Sequence, residues 1–101
     1  MKFLTFVMYD IAKAAEVAQA SDKAAKMPGQ KLLALYVCGG KPFDGVPPNT
    51  LVAISVREAE SAEALAAVEY TLILAGATVW AVPVVELPVG GAVAEEKKYR
   101  K

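Results

Sequence analysis

Five side chains of this 101-residue chain have types and positions suited to binding a small molecule. They are three aromatic residues, one hydroxyl and one guanidinium: Tyr9, Tyr36, Trp80, Ser55 and Arg57. Aromatic walls around one cation are typical of sites for a planar carboxylic acid or a phenol. An arginine on an apolar face needs a carboxylate of the protein or an anionic ligand as its partner. A simpler interpretation stays open, because Tyr and Trp are also enriched in subunit interfaces and an arginine at a strand end is often solvated.

The composition removes several chemistries, because the chain contains no histidine. A Ser-His-Asp triad, a Cys-His pair and imidazole ligation of haem or zinc are therefore excluded, and with them a conventional haem peroxidase. The single cysteine, Cys38, has no identifiable base beside it and is expected to be a small buried hydrophobe. The carboxylates show no metal-ligand spacing. The sequence therefore identifies no catalytic residue and leaves open whether the protein is an enzyme, and we predict no metal site and no cofactor.

The segment from Leu51 to Leu87 predicts a strand, a helix and a second strand. Its first strand alternates a β-branched row with a mixed row that contains Ser55 and Arg57. The helix is expected over Ala62 to Ala75, with a serine N-cap before it and a glycine after it. The last strand, Thr78 to Leu87, is apolar on both faces and contains a proline, which favours a sheet edge. An edge strand that is apolar on both faces needs cover, and a second copy of the chain is the simplest source.

The first half of the chain predicts two more strands, Lys2 to Tyr9 and Lys31 to Cys38. Asp10 is expected to cap a helix from about Ile11 to Lys26. We expect the inner stripe of that helix to consist of Ile11, Ala14, Ala15, Ala18 and Ala25. The loop from Gly39 to Thr50 is longer than a hairpin needs, and long ordered loops often carry contacts or function.

The resulting order, β-α-β-β-α-β, predicts an α+β, ferredoxin-like fold with a four-stranded antiparallel sheet in the order 4-1-3-2 and two helices on one face. Two rows are expected to face the helices: Val52, Ile54, Val56 and Leu33, Leu35, Val37. The open face is then expected to contain Leu32, Tyr36, Cys38, Leu51, Ser55, Arg57, Trp80 and Val82. Such a face is too apolar to stay exposed to water. We therefore expect the protein to dimerise through the open sheet face.

Composition sets the class of protein. Apolar residues make up 55% and charged residues 22%, with zero formal net charge, which is typical of a folded globular domain. We expect one domain over residues 1–88 and a solvated C-terminal tail over residues 89–101. The neutral charge argues against nucleic-acid binding. The apolar start is too short for a signal sequence, no segment is suited to span a membrane, and one cysteine suits a reducing compartment, so a cytoplasmic location is expected.

Five segments carry a resemblance to a known group of proteins: Met1-Lys2-Phe3-Leu4, Lys31-Leu32-Leu33, Leu51-Val52-Ala53, Glu58 to Leu65 and Val82-Pro83-Val84-Val85. In these segments the sequence resembles the dimeric α/β-barrel superfamily, and within it the small uncharacterised family DUF3303. The resemblance implies a homodimer or higher homo-oligomer in which two open sheets close into a barrel. The activities it implies range from monooxygenases and isomerases to regulatory domains, and fold alone does not select among them.

Three functions remain open from the sequence. The first is a homodimeric protein that binds a small anionic or aromatic ligand and has no catalytic apparatus. The second is a cofactor-independent monooxygenase or isomerase on a small aromatic or lactone-like substrate, with Tyr36 or Tyr9 and Arg57 stabilising an oxyanion. The third is a structural module that only oligomerises. A ligand-sized cavity separates the first two from the third.

Overall fold

Four strands form one antiparallel sheet, with helices packed on one side of it. The computed structural model describes residues 1–100 of the chain; Lys101, the last residue of the expected tail, lies outside the described residues. The elements are β1 (Lys2–Asp10), a 3₁₀ helix (Ile11–Lys13), α1 (Ala14–Ala25), β2 (Gln30–Val37), β3 (Thr50–Ala59), α2 (Ala62–Leu74), β4 (Thr78–Pro83) and α3 (Ala92–Tyr99). The strand order is β2-β3-β1-β4, which read from the other edge is 4-1-3-2. Pro83 therefore ends an edge strand, where its missing N–H removes no hydrogen bond from the sheet interior.

Asp10 and Ser61 are N-caps as the sequence predicts, but Asp10 caps the 3₁₀ helix that leads into α1 and not α1 itself, whose N-cap is Lys13. Asp10 Oδ1 accepts a hydrogen bond from the Ala12 amide at 2.8 Å, and Ser61 Oγ accepts one from the Ala64 amide at 3.1 Å. Each cap satisfies an amide that has no partner inside its helix. Gly76 follows α2 with a φ of 105°, a left-handed conformation that glycine adopts without a steric penalty.

The predicted inner stripe of α1 is wrong except at Ala14. Val17 and Ala24 are buried instead, with Ala14 and Ala20 half-buried beside them. Four residues of the predicted stripe are exposed: Ile11, Ala15, Ala18 and Ala25. Val17 and Ala24 recur at a seven-residue spacing, so α1 turns its one β-branched side chain toward the core and leaves the predicted alanines exposed.

The pairing of β1 with β3 fixes which side chains share a face of the sheet. Thr5 lies opposite Ser55, Val7 opposite Ala53 and Phe3 opposite Arg57. Val7 and Ala53 belong to the core that α1 and α2 close, so Ser55 and Arg57 lie on this helix-side face as well.

The prediction that Leu51, Ser55 and Arg57 project from the open face is therefore wrong. The β-branched row Val52, Ile54 and Val56 occupies the open face instead, whereas Leu35 and Val37 lie on the helix-side face as predicted. Small residues line the helix-side face at the centre of the sheet, and they let the alanine-rich helices approach the strands closely. Leu32 also moves to the helix-side face, because a register shift between Leu32 and Ala34 changes the alternation along β2.

The loop between β2 and β3 covers part of the open face. Phe43 packs edge-on against Phe6 and Trp80, with ring centroids 6.4 and 5.9 Å apart, and Val46 is buried. Val52 is 1% exposed although it lies on the face away from the helices. The long loop is therefore a structural cover for one part of that sheet face.

Candidate ligand-binding site

A cavity of about 160 Å³ lies between α1 and the helix-side face of the sheet. Its floor comes from β1 and β3, its roof from α1, and Leu72 of α2 closes one side. The lining residues that are exposed to solvent are Ala18, Asp22, Leu35 and Val37. Because these four belong to α1 and β2, the mouth of the cavity lies between that helix and that edge strand.

Arg57 is the charged residue of the cavity floor, and it is only 2% exposed. Its Nη1 donates a hydrogen bond to Gln30 Oε1 at 2.9 Å, whereas its Nε has no partner. Among residues 1–100 the ion pairs join other side chains, and none of them brings a carboxylate within 4 Å of Arg57. Burial lowers the pKa of Arg57 from its ordinary value. A buried guanidinium without an anionic partner is costly, so this group has unused capacity to bind an anion.

Gln30 holds Arg57 in place from the first residue of β2. Its Nε2 lies within hydrogen-bond distance of three carbonyl oxygens at the end of α1, at 3.0 Å from Ala24, 3.2 Å from Ala25 and 2.8 Å from Met27. These carbonyls form the negative end of the helix dipole, where a nearby cation is stabilised. The Gln30 side chain thus joins the helix end to the guanidinium and fixes the orientation of both.

Two hydroxyl groups are buried on the same face of the sheet as Arg57. Ser55 and Thr5 lie opposite each other on β3 and β1, are 2% and 0% exposed, and have no hydrogen-bond partner for their side-chain oxygens. Buried polar groups in proteins nearly always have a partner, and the exceptions call for an explanation. Ser55 also lines the cavity. Its hydroxyl and the Arg57 Nε are therefore two unpaired polar groups on one strand of the cavity wall.

The cavity has a polar end and an apolar end. Gln30 ties the C-terminal end of α1 to Arg57, so the second half of that helix, with Ser21 and Asp22, lies over the Ser55 and Arg57 end of β3. The opposite end is lined by the side chains of Val7, Tyr9, Val17, Val37 and Ala53. The arrangement suits a molecule with one polar end and a compact apolar body.

The structure brings together three of the five residues that the sequence predicts for a site. Tyr9, Ser55 and Arg57 all line the cavity, and Tyr9 is 9% exposed. Tyr36 and Trp80 lie on the opposite face of the sheet, since Tyr36 pairs with Ile54 and Trp80 with Phe6. The predicted combination of Arg57 with Tyr36 and Trp80 in one pocket is therefore wrong.

Trp80 belongs to an aromatic cluster with the loop rather than to the cavity. Its ring stacks on Phe6 with centroids 5.2 Å apart and an interplanar angle of 9°, and Phe43 covers its edge. Tyr36 is 62% exposed on the same face of the sheet, on the edge strand β2, which β3 separates from β1. The open face is thus an aromatic and aliphatic surface, with its charged side chains at the ends of the strands.

Sequence reasoning missed Gln30, Asp22 and Phe43. Gln30 follows directly on the helix end at Met27-Pro28-Gly29, and an amide at that place can cap a helix from the next strand. Phe43 stands among glycine and proline residues in the loop, where a large apolar side chain indicates packing against the body of the protein. No sequence signal places Asp22 at the cavity, because that depends on the rotation of α1.

Other candidate chemistry is not assembled in the described part of the chain. Within residues 1–100, no three cysteine, aspartate or glutamate side chains are grouped closely enough to hold a metal ion. Cys38 is half-buried, and Glu69 on α2 is partly buried, which raises the pKa of its carboxyl group. No helix among these residues has the length and apolar character needed to cross a membrane.

The comparisons with known proteins place the chain by its fold. The sequence matches no family model and no curated protein. The crystal structure of a DUF3240 family protein from Shewanella baltica OS155 is similar, with a TM-score of 0.51 and 11% identity over 86% of this chain and 93% of that chain. The likeness shows the fold alone: an α+β protein with a four-stranded antiparallel sheet.

Two further solved structures have lower scores. A protein named YjcS has a TM-score of 0.49 and 11% identity, covering 83% of this chain and 98% of that one. The stable protein CutA1 from the psychrotrophic bacterium Shewanella sp. SIB1 has a TM-score of 0.46 and 14% identity, covering 97% of this chain and 92% of that one.

Proposed function

We propose that this protein binds a small molecule in the cavity between α1 and the sheet. The observation that carries the proposal is the pair of unpaired, buried polar groups on the cavity wall, Ser55 Oγ and Arg57 Nε. Apolar cavities with a few convergent polar groups are the usual form of ligand sites. A cavity of about 160 Å³ is comparable to an engineered cavity of about 150 Å³ that accepts benzene in another protein.

A substitution at the mouth of the cavity tests this proposal. Ala18 is exposed and lines the mouth, so Ala18→Phe is expected to fill the entrance while leaving the fold intact. Ala15→Phe is the matched control, because Ala15 is also exposed on α1 but does not line the cavity. We expect a fragment screen by two-dimensional NMR to find ligands that shift the amides of Ala53 and Ser55, and we expect Ala18→Phe alone to abolish these shifts. If no fragment shifts these amides, the proposal is wrong.

The catalytic alternative has less support than binding. An oxyanion site formed by Tyr36 and Arg57 is excluded by their positions on opposite faces of the sheet. Tyr9 shares the cavity with Arg57, but the two residues are far apart along the sheet. Arg57 pairs with Phe3 of β1, and Val7 and Thr5 lie between Phe3 and Tyr9 on the same face. Asp22, the carboxylate of the cavity, lies exposed at the mouth. We therefore propose binding, and not catalysis, as the function of this site.

We also propose that a second copy of the chain covers the open sheet face, as in the dimeric α/β-barrel type that the sequence resembles. Support comes from the apolar character of this face, which continues beyond the loop cover to Val82 and Tyr36 at its two edges. Contiguous exposed apolar surfaces in soluble proteins often mark an interface. We also propose that the fold is ferredoxin-like and that the chain is similar to DUF3303. A reducing cytoplasmic location is proposed as well, because the one cysteine suits it.

Light scattering on matched variants tests the dimer. Tyr36 and Tyr70 are both 62% exposed, but Tyr36 lies on the open face and Tyr70 on α2. We expect the unmodified protein to be dimeric, Tyr36→Glu to be monomeric because it buries a charge in the interface, and Tyr70→Glu to stay dimeric. A Tyr36→Glu variant that remains dimeric, or an unmodified protein that is monomeric, would contradict the proposed interface.

A further inference from the structure

We infer that the ligand of this cavity is a small organic acid, whose carboxylate binds Arg57 and Ser55 and whose apolar body lies toward Val7 and Val17. The inference rests on the proposed function, because it specifies the chemical class of the molecule that the cavity holds. It uses three observations: the unpaired donors at one end, the missing counter-charge of Arg57, and the apolar walls at the other end.

The polar end of the cavity carries the positive charge of Arg57. Arg57 lines the cavity, is 2% exposed and has one hydrogen bond, to a neutral amide, while its buried Nε has no partner. A carboxylate is the group that best matches a guanidinium, since its two oxygens accept parallel hydrogen bonds. The Ser55 hydroxyl, on the same face of β3, supplies a further donor to the same anion.

The part of the cavity beyond Ser55 is small and lined by apolar side chains. The floor beyond Ser55 is formed by Ala53 and Val7, and the roof by Val17, so a ligand body in this region contacts apolar side chains above and below. The volume of about 160 Å³ suits a body of the size of a benzene ring or a short branched alkyl chain. A larger anion such as a nucleotide does not fit this space.

Asp22 is the negatively charged residue at the mouth of the cavity. Asp22 is exposed, so its repulsion of an anionic ligand is screened by water and salt. Arg57 is buried, so its attraction is screened much less. The buried cation therefore determines the sign of the ligand charge, and Asp22 only reduces the affinity.

The test compares benzoate with benzamide, which have nearly the same shape and differ in charge. Both are titrated at pH 7 into the uniformly labelled protein, and the amides of Ser55 and Arg57 are followed by NMR. We expect benzoate to bind at least about tenfold more tightly than benzamide, because hydrogen bonds to a charged group are the stronger ones. We expect the shifts to cluster at the cavity.

Three variants assign the charge effect to single residues. Arg57→Gln keeps an amide donor for Gln30 and is expected to lower benzoate affinity to that of benzamide. Asp22→Asn is expected to tighten benzoate binding about two- to fivefold, the effect of one exposed charge. Ser55→Ala retains the guanidinium and is expected to weaken benzoate binding about tenfold, which keeps the test valid if Arg57→Gln does not fold.

The possible results separate this inference from the proposal on which it rests. If benzamide binds in the cavity as tightly as benzoate, the organic-acid inference is overturned while the proposed binding function stands. If benzoate shifts only amides of exposed lysines, or if Ser55→Ala and Arg57→Gln leave benzoate affinity unchanged, the inference is again overturned. If neither probe nor any fragment reaches the cavity, the proposed function itself falls.

Discussion

Replacement of Gln30 by alanine removes the one side chain that joins Arg57 to the end of α1. The hydrogen bond from Arg57 Nη1 to Gln30 Oε1, at 2.9 Å, involves a charged donor, and its loss leaves that donor buried without a partner. Such a loss costs about 1.5–3 kcal/mol. The bonds from Gln30 Nε2 to the carbonyls of α1 are neutral, and their loss adds about 1 kcal/mol. We therefore expect Gln30→Ala to lower the free energy of unfolding by about 3 kcal/mol in total.

Urea unfolding followed by circular dichroism measures this loss, and thermal unfolding gives a second estimate. For a domain of this size, about 3 kcal/mol corresponds to a drop in Tm of roughly 10–20 °C. The control is Gln19→Ala, because Gln19 is exposed on α1, and its change is expected to stay within about 0.5 kcal/mol. In an Arg57→Leu background, Gln30→Ala should cost much less than in the unmodified protein. A loss of under about 1 kcal/mol for Gln30→Ala alone would refute the view that Arg57 depends on Gln30.

Three further predictions address other parts of the chain. Partial burial raises the pKa of Glu69, so its charged form destabilises the folded state. Glu69→Gln should therefore raise the urea midpoint at pH 7. This gain should vanish below the ordinary carboxyl pKa of 4.5, where the carboxyl group is protonated in both the folded and the unfolded state. A chain ending at Pro88 should keep its free energy of unfolding within about 0.5 kcal/mol, because α3 has no buried residue; a larger loss would show that α3 contributes to the fold. Phe43→Ala should lower stability by about 1–2 kcal/mol and shift Trp80 fluorescence to longer wavelength, and unchanged emission would contradict the loop cover.

The order of the elements and their caps are predictable from the sequence because local chemistry determines them, although the last strand ends at Pro83 and not at Leu87 as predicted. Asp10 and Ser61 cap their helices through their own side chains, and Gly76 adopts its left-handed conformation without help from distant residues. The proline in the last strand likewise indicates an edge, since its missing N–H is a local property. These features need no knowledge of what packs against them.

The face on which Arg57 lies is not predictable in this way. A strand with a β-branched row and a small, polar row suggests that the larger row faces the core, yet the smaller row faces the helices here. The choice depends on how closely the helices approach and on Gln30, which compensates the buried guanidinium from another strand. A one-residue change in register reverses every face assignment along a strand, so one wrong choice moved Ser55 and Arg57 together to the other side of the sheet.

The cavity lies on the helix side, whereas the surface proposed for dimerisation lies on the other side of the same strands. Ligand binding under α1 therefore does not require a second subunit to complete the site. Loss of the dimer and loss of ligand binding are separable effects, each with its own variants.

The most direct measurement is a crystal structure of the protein grown with benzoate. We predict density for the ligand between α1 and the sheet, with its carboxylate within hydrogen-bond distance of Arg57 Nε and Ser55 Oγ, and its ring against Val7 and Val17. A cavity closed by side chains, or benzoate bound only on the Trp80 face, would contradict the account.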